Sequence, residues 1–288
     1  MTPLSPCVVC ATPAEFYCLK PPASYFRCRS CDAIFQHPMP SLQEMAGYAD
    51  REYSEGVYKE YVAARDLKYL TFRARAARIE RRTRGRRLAD IGCSCGYFID
   101  VALEHGFDAT GVEFSPVAIA AASNEARPRI IQGDVNTLHA MQQASFDVVT
   151  AFDIVEHVLD PVQFLTQLKG LLKREGLLAI TTPDTGHVLR PLMGTRWPML
   201  QPFQHTCLFS AKSLRMALET AGYADIEIMP ARKVLTADYL AGQIKTHNPL
   251  LAHLYDTLSR ALPRKWRDLP LSVNIGEIMA FARPSPRS

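Results

Sequence analysis

From Arg87 onward, short apolar runs alternate with amphipathic stretches. The runs RLADIG (87–92), DATGVEF (108–114), RII (129–131), FDVVTAF (146–152) and GLLAITT (176–182) are short and carry many β-branched and aromatic residues, so they read as strands. Segments between the first few runs, and the one before the last, place apolar residues at helical spacing. Gly106, Gly176 and Gly222 stand where helices would end. Repeated strand, helix, strand order predicts a parallel sheet with helices on both faces. DIEIMPA (225–231) and GEIMAFARP (276–284) read as two further strands, separated by a helical segment around Leu235 to Leu262.

Upstream the pattern is different. Residues 1–40 are rich in cysteine, proline and aromatics, end in the turn-forming HPMP, and predict a small module of their own. Residues 41–87 are polar and periodic; Tyr48, Tyr53, Tyr58 and Tyr61 precede RDLKYLTFRARAARIERRTRGRR, a predicted long helix ending near Gly85. The expected organisation is therefore a module at 1–40, a helical lid or linker at 41–87, and a main domain at 88–288.

A chain of 288 residues that is 48% hydrophobic has enough apolar material for one α/β core plus a small addition. The net charge of +4 is mild and no basic tail stands out, so nucleic acid is not the default partner. No apolar run approaches the ~18 residues of a membrane span, and no basic stretch leads into an apolar leader. These features predict a soluble, cytoplasmic protein without a transmembrane segment. Of eight cysteines, four fall in CVVC (7–10) and CRSC (28–31), which enclose 17 residues. That spacing predicts a closed tetrahedral zinc site of Cys7, Cys10, Cys28 and Cys31 rather than disulfides, with Cys18 a spare thiol.

The stretch LADIGCSCGYFID, Leu88 to Asp100, admits a dinucleotide turn, a Cys-x-Cys redox or metal site, or another cofactor loop. The dinucleotide pattern places its third glycine where Tyr97 stands, which excludes it. A phosphate loop fails because no Gly-Lys-Ser or Gly-Lys-Thr follows. What remains is a loop of small residues with a carboxylate, Asp90, at its base. Glu113 ends the second strand, where an acid can accept from both hydroxyls of a ribose. Asp134, in QGDV, follows the third strand, where a carboxylate can accept from an exocyclic amine.

Taken together, LADIGCSCGYFIDVA, GVEFSP, QGDV, FDVVTAFDIVEHVLDP and LLKREGLLAITTPD resemble the successive motifs of class I S-adenosylmethionine-dependent methyltransferases. The similarity is greatest to the small-molecule group that includes ubiquinone-pathway O-methyltransferases, and it covers Leu88 to Gly222 plus the two closing strands. It implies a Rossmann-like, seven-stranded α/β sheet behind an N-terminal zinc ribbon. By the same resemblance Asp90, Gly92, Cys93, Ser94 and Gly96 surround the methionine part of the cofactor, Glu113 holds the ribose and Phe114 lies near the adenine. Asp134 and Val135 contact the adenine edge, and Phe152 and Asp153 complete the cofactor-binding positions.

A methyl group on a sulfonium is already activated, so an acceptor mainly needs alignment, exclusion of water and loss of a proton. Asp153, Glu156 and His157 follow the fourth strand, and a helix starting there would put Asp153 on one face with Glu156 or His157. His157 as base, a divalent cation such as Mg2+ held by all three, and simple packing of His157 are all open readings. Within the irregular, aromatic-rich Met193 to Ser210, His205 and Trp197 are further acceptor-site candidates, beside a bland surface loop with a capped helix start. Tyr53 and Tyr58 could cover the cofactor or simply pack.

The expected function is methyl transfer to a small-molecule acceptor, most readily at oxygen, in biosynthetic or secondary metabolism. RNA is the alternative acceptor, because zinc ribbons also precede ribosomal RNA methyltransferases and eight arginines lie between Arg73 and Arg87. Methylation of a nucleotide-linked sugar at carbon, and cofactor binding without catalysis, are the other readings. HNPLLAHLYDTLSRALPRKW is amphipathic and would serve core packing, a dimer face or a membrane. Monomer and homodimer both remain open.

Overall fold

A computed structural model describes residues 4–45, 62–141, 143–239 and 267–286. Tyr53, Tyr58 and the amphipathic stretch after residue 239 lie outside the described residues.

Seven strands form the main sheet: β5 (Arg87–Ile91), β6 (Asp108–Glu113), β7 (Ile130–Gln132), β8 (Phe146–Phe152), β9 (Leu172–Pro183), β11 (Tyr223–Leu235) and β12 (Leu271–Pro284). Their spatial order is β11-β12-β9-β8-β5-β6-β7, with β5 to β9 parallel and β12 antiparallel to both of its neighbours. The chain leaves β5 toward β6 on one side and returns to β8 on the other. The crevice at the carboxyl ends of β5 and β8 is thus the switch point where open α/β sheets take their ligands.

Alternation along the strands decides which face each residue serves. Leu88, Val148 and Leu177 pack with α1 (Arg65–Glu80) and α2 (Tyr97–Glu104), whereas Ala89, Val149 and Leu178 pack with α4 (Val135–Met141), α5 (Pro161–Leu171) and α7 (Ala211–Thr220). Both faces of the sheet are covered, as a parallel sheet requires. α1 lays Ala76 and Ile79, both wholly buried, into the first of these cores. The arginines in and just after it are turned to intramolecular use: Arg73 pairs with Glu104, Arg82 with Glu227 and Arg86 with Glu80. Short α3 (Pro116–Ala120) is capped by Ser115, and Ser210 with Ser213 forms a capping box that starts α7.

Gly106 and Gly222 follow α2 and α7 with positive φ, as expected of helix ends. Gly176 does not. α5 ends at Leu171, Leu172 is already extended, and Gly176 lies inside β9.

The N-terminal residues build a second sheet, β1 (Leu4–Pro6), β2 (Pro13–Lys20), β3 (Ala23–Cys28) and β4 (Ile34–Gln36), to which the main domain adds β10 (Cys207–Leu208). β10 lies antiparallel to β4, pairing Cys207 with Phe35 and Leu208 with Ile34. Val9, Phe26 and Phe35 share one continuous core with Phe209 and Leu214, so the module is joined to the main domain by both hydrogen bonds and apolar packing. Trp197, after short α6 (Leu189–Met193), is 4% exposed and packs with Tyr25, Leu200 and Leu208. It is a packing residue against the five-stranded sheet. Among the described residues, no helix is long and apolar enough to cross a membrane.

Candidate active site

The loop leaving β5 turns through three alternate left-handed residues, Gly92 (φ 70°), Ser94 (φ 51°) and Gly96 (φ 69°). A Cβ at Gly96 would meet Ala126 Cβ at 2.7 Å, so that position demands glycine for both space and φ, whereas at Gly92 a Cβ would meet the movable end of Ile154 and the positive φ sets the demand. Ser94 adopts the same conformation at a cost of about 1 kcal/mol. Glu113 offsets that cost: its carboxylate accepts from Ser94 N and from Ser115 N, each at 2.9 Å. Glu113 is 4% exposed, and burial pushes its pKa up against those backbone bonds. The side chain expected to hold a ribose thus also braces the loop expected to hold the methionine part.

Asp90, at the centre of the sheet, accepts from Thr150 Oγ1 at 2.6 Å, and burial pushes its pKa up to about 7. A buried acid with one hydroxyl partner is suited to an incoming ammonium. Cys93 and Cys95 are both buried, and Cys93 Sγ fills the space over Gly111. Neither belongs to a metal-ligating cluster among the described residues. Phe114 is 62% exposed at the end of β6. Asp134 accepts from Thr137 N at 3.0 Å and caps α4, with Val135 buried behind it. Phe152 packs edge-on to Phe98 at 4.8 Å and against Phe72 at 6.0 Å, with the Arg75 guanidinium 4.8 Å from its ring.

Beyond β8 the expected helix is absent; residues 153–157 form turns, and Asp153 takes φ 58°. Consequently Asp153 does not bring its carboxylate to Glu156 and His157, although its backbone lies against the His157 ring. Its carboxylate accepts from Thr181 Oγ1 at 2.7 Å and pairs with Lys233 at 3.5 Å. Burial works against its ionisation, yet Lys233 and then Arg75 hold its pKa well below the usual carboxylate range. Lys233 also pairs closely with buried Glu277, which Arg75 reaches at 3.4 Å. This buried ion network ties α1, β8, β11 and β12 together beside the crevice. Nothing local in the sequence points to it, since its members are separated by up to 202 positions.

His205 takes the place intended for Asp153. The carboxylate of Glu156 and the ring nitrogens of His157 and His205 lie within 4.8 Å of one another. The two rings meet edge to face, centroids 4.9 Å apart. His157 Nδ1 is 3.0 Å from the Gln204 carbonyl and His205 Nδ1 is 2.8 Å from that of Met199. A carbonyl only accepts, so each Nδ1 carries the proton and each Nε2 keeps its lone pair. Burial lowers both pKa values, that of His205 to about 3, and both rings are neutral at pH 7. Glu156 is 1% exposed and accepts from Thr182 Oγ1 at 3.0 Å; burial and then Asp153 raise its pKa well above normal. One carboxyl and two imidazoles could also ligate a metal, but this set suits ions that favour nitrogen, whereas Mg2+ prefers an oxygen shell.

At the N-terminal module, Cys7 and Cys31 Sγ lie 3.5 Å apart, as do Cys10 and Cys28. Four sulfurs at ~2.3 Å from one zinc ion would stand about 3.8 Å from each other, so the set fits tetrahedral zinc closely. Val9 N and Cys31 N point at Cys7 Sγ and Cys28 Sγ, and no disulfide forms. Cys18 lies apart from the set, buried in the cluster of Tyr25, Ile34, Trp197 and Leu208.

A family model described as a methyltransferase domain matches residues 60–228. A mitochondrial ubiquinone biosynthesis O-methyltransferase of Schizosaccharomyces pombe is 25% identical over 199 residues, 67% of this chain and 65% of that protein. A ubiquinone biosynthesis O-methyltransferase of Cereibacter sphaeroides is 32% identical over 121 residues, 40% of this chain and 49% of that one. The chain therefore spans about half to two thirds of the length of these curated relatives. The crystal structure of an S-adenosylmethionine-dependent methyltransferase from Archaeoglobus fulgidus superposes with a TM-score of 0.53 at 17% identity, covering 78% of this chain and 99% of that one.

Proposed function

We propose that this chain, which belongs to the class I S-adenosylmethionine-dependent methyltransferase family, methylates a hydroxyl oxygen of a small-molecule acceptor. S-adenosylmethionine, when bound, supplies a methyl group already activated for displacement. Asp90, Gly92, Cys93, Ser94, Gly96, Glu113 and Phe114 bind and orient it at the ends of β5 and β6, with Asp134 and Val135 at the outer rim. His157 Nε2 takes the proton of the acceptor hydroxyl as the oxygen–carbon bond forms.

The observation that carries this reading is the contact of His157 Nδ1 with the Gln204 carbonyl. The Nδ1–H is held by that carbonyl at 3.0 Å, so a neutral ring presents Nε2 as an acceptor at the switch-point crevice. Glu156 Oε1 stands 4.0 Å from that nitrogen, too far for a direct hydrogen bond and about right for a hydroxyl seated between them. His205 holds the ring edge-on. Against RNA as the acceptor, Arg73, Arg75, Arg82 and Arg86 are committed to intramolecular carboxylates. The four-cysteine module would hold one structural zinc and does no chemistry of its own.

The test is incubation with methyl-labelled cofactor and a metabolite extract, followed by identification of the labelled product, for the wild type and His157→Gln. A labelled phenolic or alcoholic ether is expected, with the rate falling roughly 10²- to 10⁴-fold in the variant at unchanged cofactor affinity. Label in RNA, or an undiminished rate in the variant, would overturn the reading.

A further inference from the structure

The loop between Met199 and Thr206 does two things for the site. It donates the His205 ring, and its Gln204 carbonyl sets the tautomer of His157. It has no regular secondary structure to hold it in place, and Phe203 within it sits at φ 66°, a strained conformation for an aromatic residue. Its own backbone bonds, from Gln204 N and His205 N to Gln201 O, are joined by bonds from groups outside it.

Glu156 and Val158 of the main domain bind it at Thr206, and the N-terminal module binds it at several points along its length. Gln36, the last residue of β4, is 1% exposed, and its side-chain amide reaches into the loop. Nε2 donates to the carbonyl of His205 at 2.8 Å and, more weakly, to that of Gln201 at 3.4 Å. Oε1 accepts from Phe203 N at 3.4 Å. The backbone N–H of Gln36 donates to Thr206 O at 2.9 Å, and Thr206 N in turn donates to Glu156 O at 2.8 Å. One residue thus binds the loop at Gln201, Phe203, His205 and Thr206, on both sides of the carbonyl that orients His157. A buried amide of fixed size can satisfy two acceptors and one donor at once; an apolar residue of the same shape satisfies none.

We propose that Gln36 is a positioning residue of the acceptor site, and that the cysteine-rich module serves the reaction by carrying it. Gln36 touches neither acceptor nor cofactor; it acts through Gln204 and His205 on His157. The proposal rests on the reading of His157 as the base, but its first readout does not depend on catalysis.

The experiment compares wild type, Gln36→Met and Gln36→Glu as full-length proteins. Methionine keeps the length and volume, and glutamate, held protonated by burial, keeps the acceptor toward Phe203 while facing two carbonyls with a single donor. Long-range proton–nitrogen NMR of the imidazoles reports the tautomers directly. In wild type, His157 and His205 are expected as single Nδ1–H tautomers; in both variants His157 is expected to show a mixture. Turnover is expected to fall at least 10-fold, with cofactor affinity and zinc content within two-fold of wild type. If the imidazole signals move while turnover does not, the positioning role stands and the reading of His157 as base fails. If neither ring signal moves, or if both variants fail to fold, Gln36 is an ordinary core residue and the proposal falls.

Discussion

Glu113→Gln separates the two jobs assigned to one carboxylate. In the free protein its oxygens accept from Ser94 N and Ser115 N, each at 2.9 Å, with the side chain 4% exposed. Glutamine can face only one of these N–H groups with its carbonyl, leaving the other opposed by an NH2; an unsatisfied buried donor costs about 1–3 kcal/mol. That loss is offset in part, because burial raises the Glu113 pKa and the neutral amide escapes the cost of a buried charge. The net loss of stability should be about 1 kcal/mol. A bound ribose adds two charge-assisted bonds to the same carboxylate, and losing their ionic character should cost roughly 3 kcal/mol of binding, or about 100-fold in affinity. Calorimetric titration with S-adenosylhomocysteine and thermal unfolding, on the same samples, measure the two effects. The sign with pH is also set. A carboxyl whose folded pKa is raised gives up stability as pH climbs through that value, so the comparison should shift toward the glutamine variant with rising pH. An affinity within three-fold of wild type would refute the ribose role. A stability loss exceeding the binding loss would leave Glu113 as a loop brace alone.

Three further outcomes are expected. Asp90, pushed up to about 7 by burial, is protonated in the free protein below that pH, so binding of an ammonium should expel a proton; affinity should fall about 5-fold from pH 7 to pH 6, and calorimetry in two buffers of different ionisation enthalpy would show no proton release if the role is wrong. The stability that this group contributes is present below its unfolded value and lost as pH rises toward 7, so Asp90→Asn should raise Tm above pH 7 while weakening cofactor binding. Lys233→Met removes the cation that pairs closely with buried Glu277 and stands 3.5 Å from Asp153; a loss of about 3 kcal/mol in denaturant unfolding is expected, less than additive with Glu277→Gln, and strict additivity would show that the network is not coupled. Elemental analysis should find one zinc per chain, and Cys28→Ser should lower both zinc content and Tm; a metal-free, equally stable wild type would dispose of the zinc site.

What could be read directly was whatever is local. All seven main strands appear within a few residues of the apolar runs, because each run carries its own period and its own turn signals. Where the reading failed, the determining partner was distant. Gly176 looks like a helix end, yet pairing of β8 with β9, which joins Phe146 to Leu172 and Val148 to Leu177, draws the chain into a strand four residues early. Asp153 looks like the natural neighbour of His157, yet Thr181 and Lys233, from other strands, take its carboxylate.

By itself, the sequence determined the strand order along the chain, the glycine loop, the acids after successive strands and the paired cysteines, all features whose meaning lies within a few residues of spacing. The tertiary structure alone decided that His205 joins Glu156 and His157, that Lys233 with Glu277 and Arg75 fixes Asp153, and that Gln36 from the cysteine-rich module holds the loop behind both histidines. The reason is physical: a buried polar group must find a partner wherever the fold brings one, and spacing along the chain carries no record of which partner that will be.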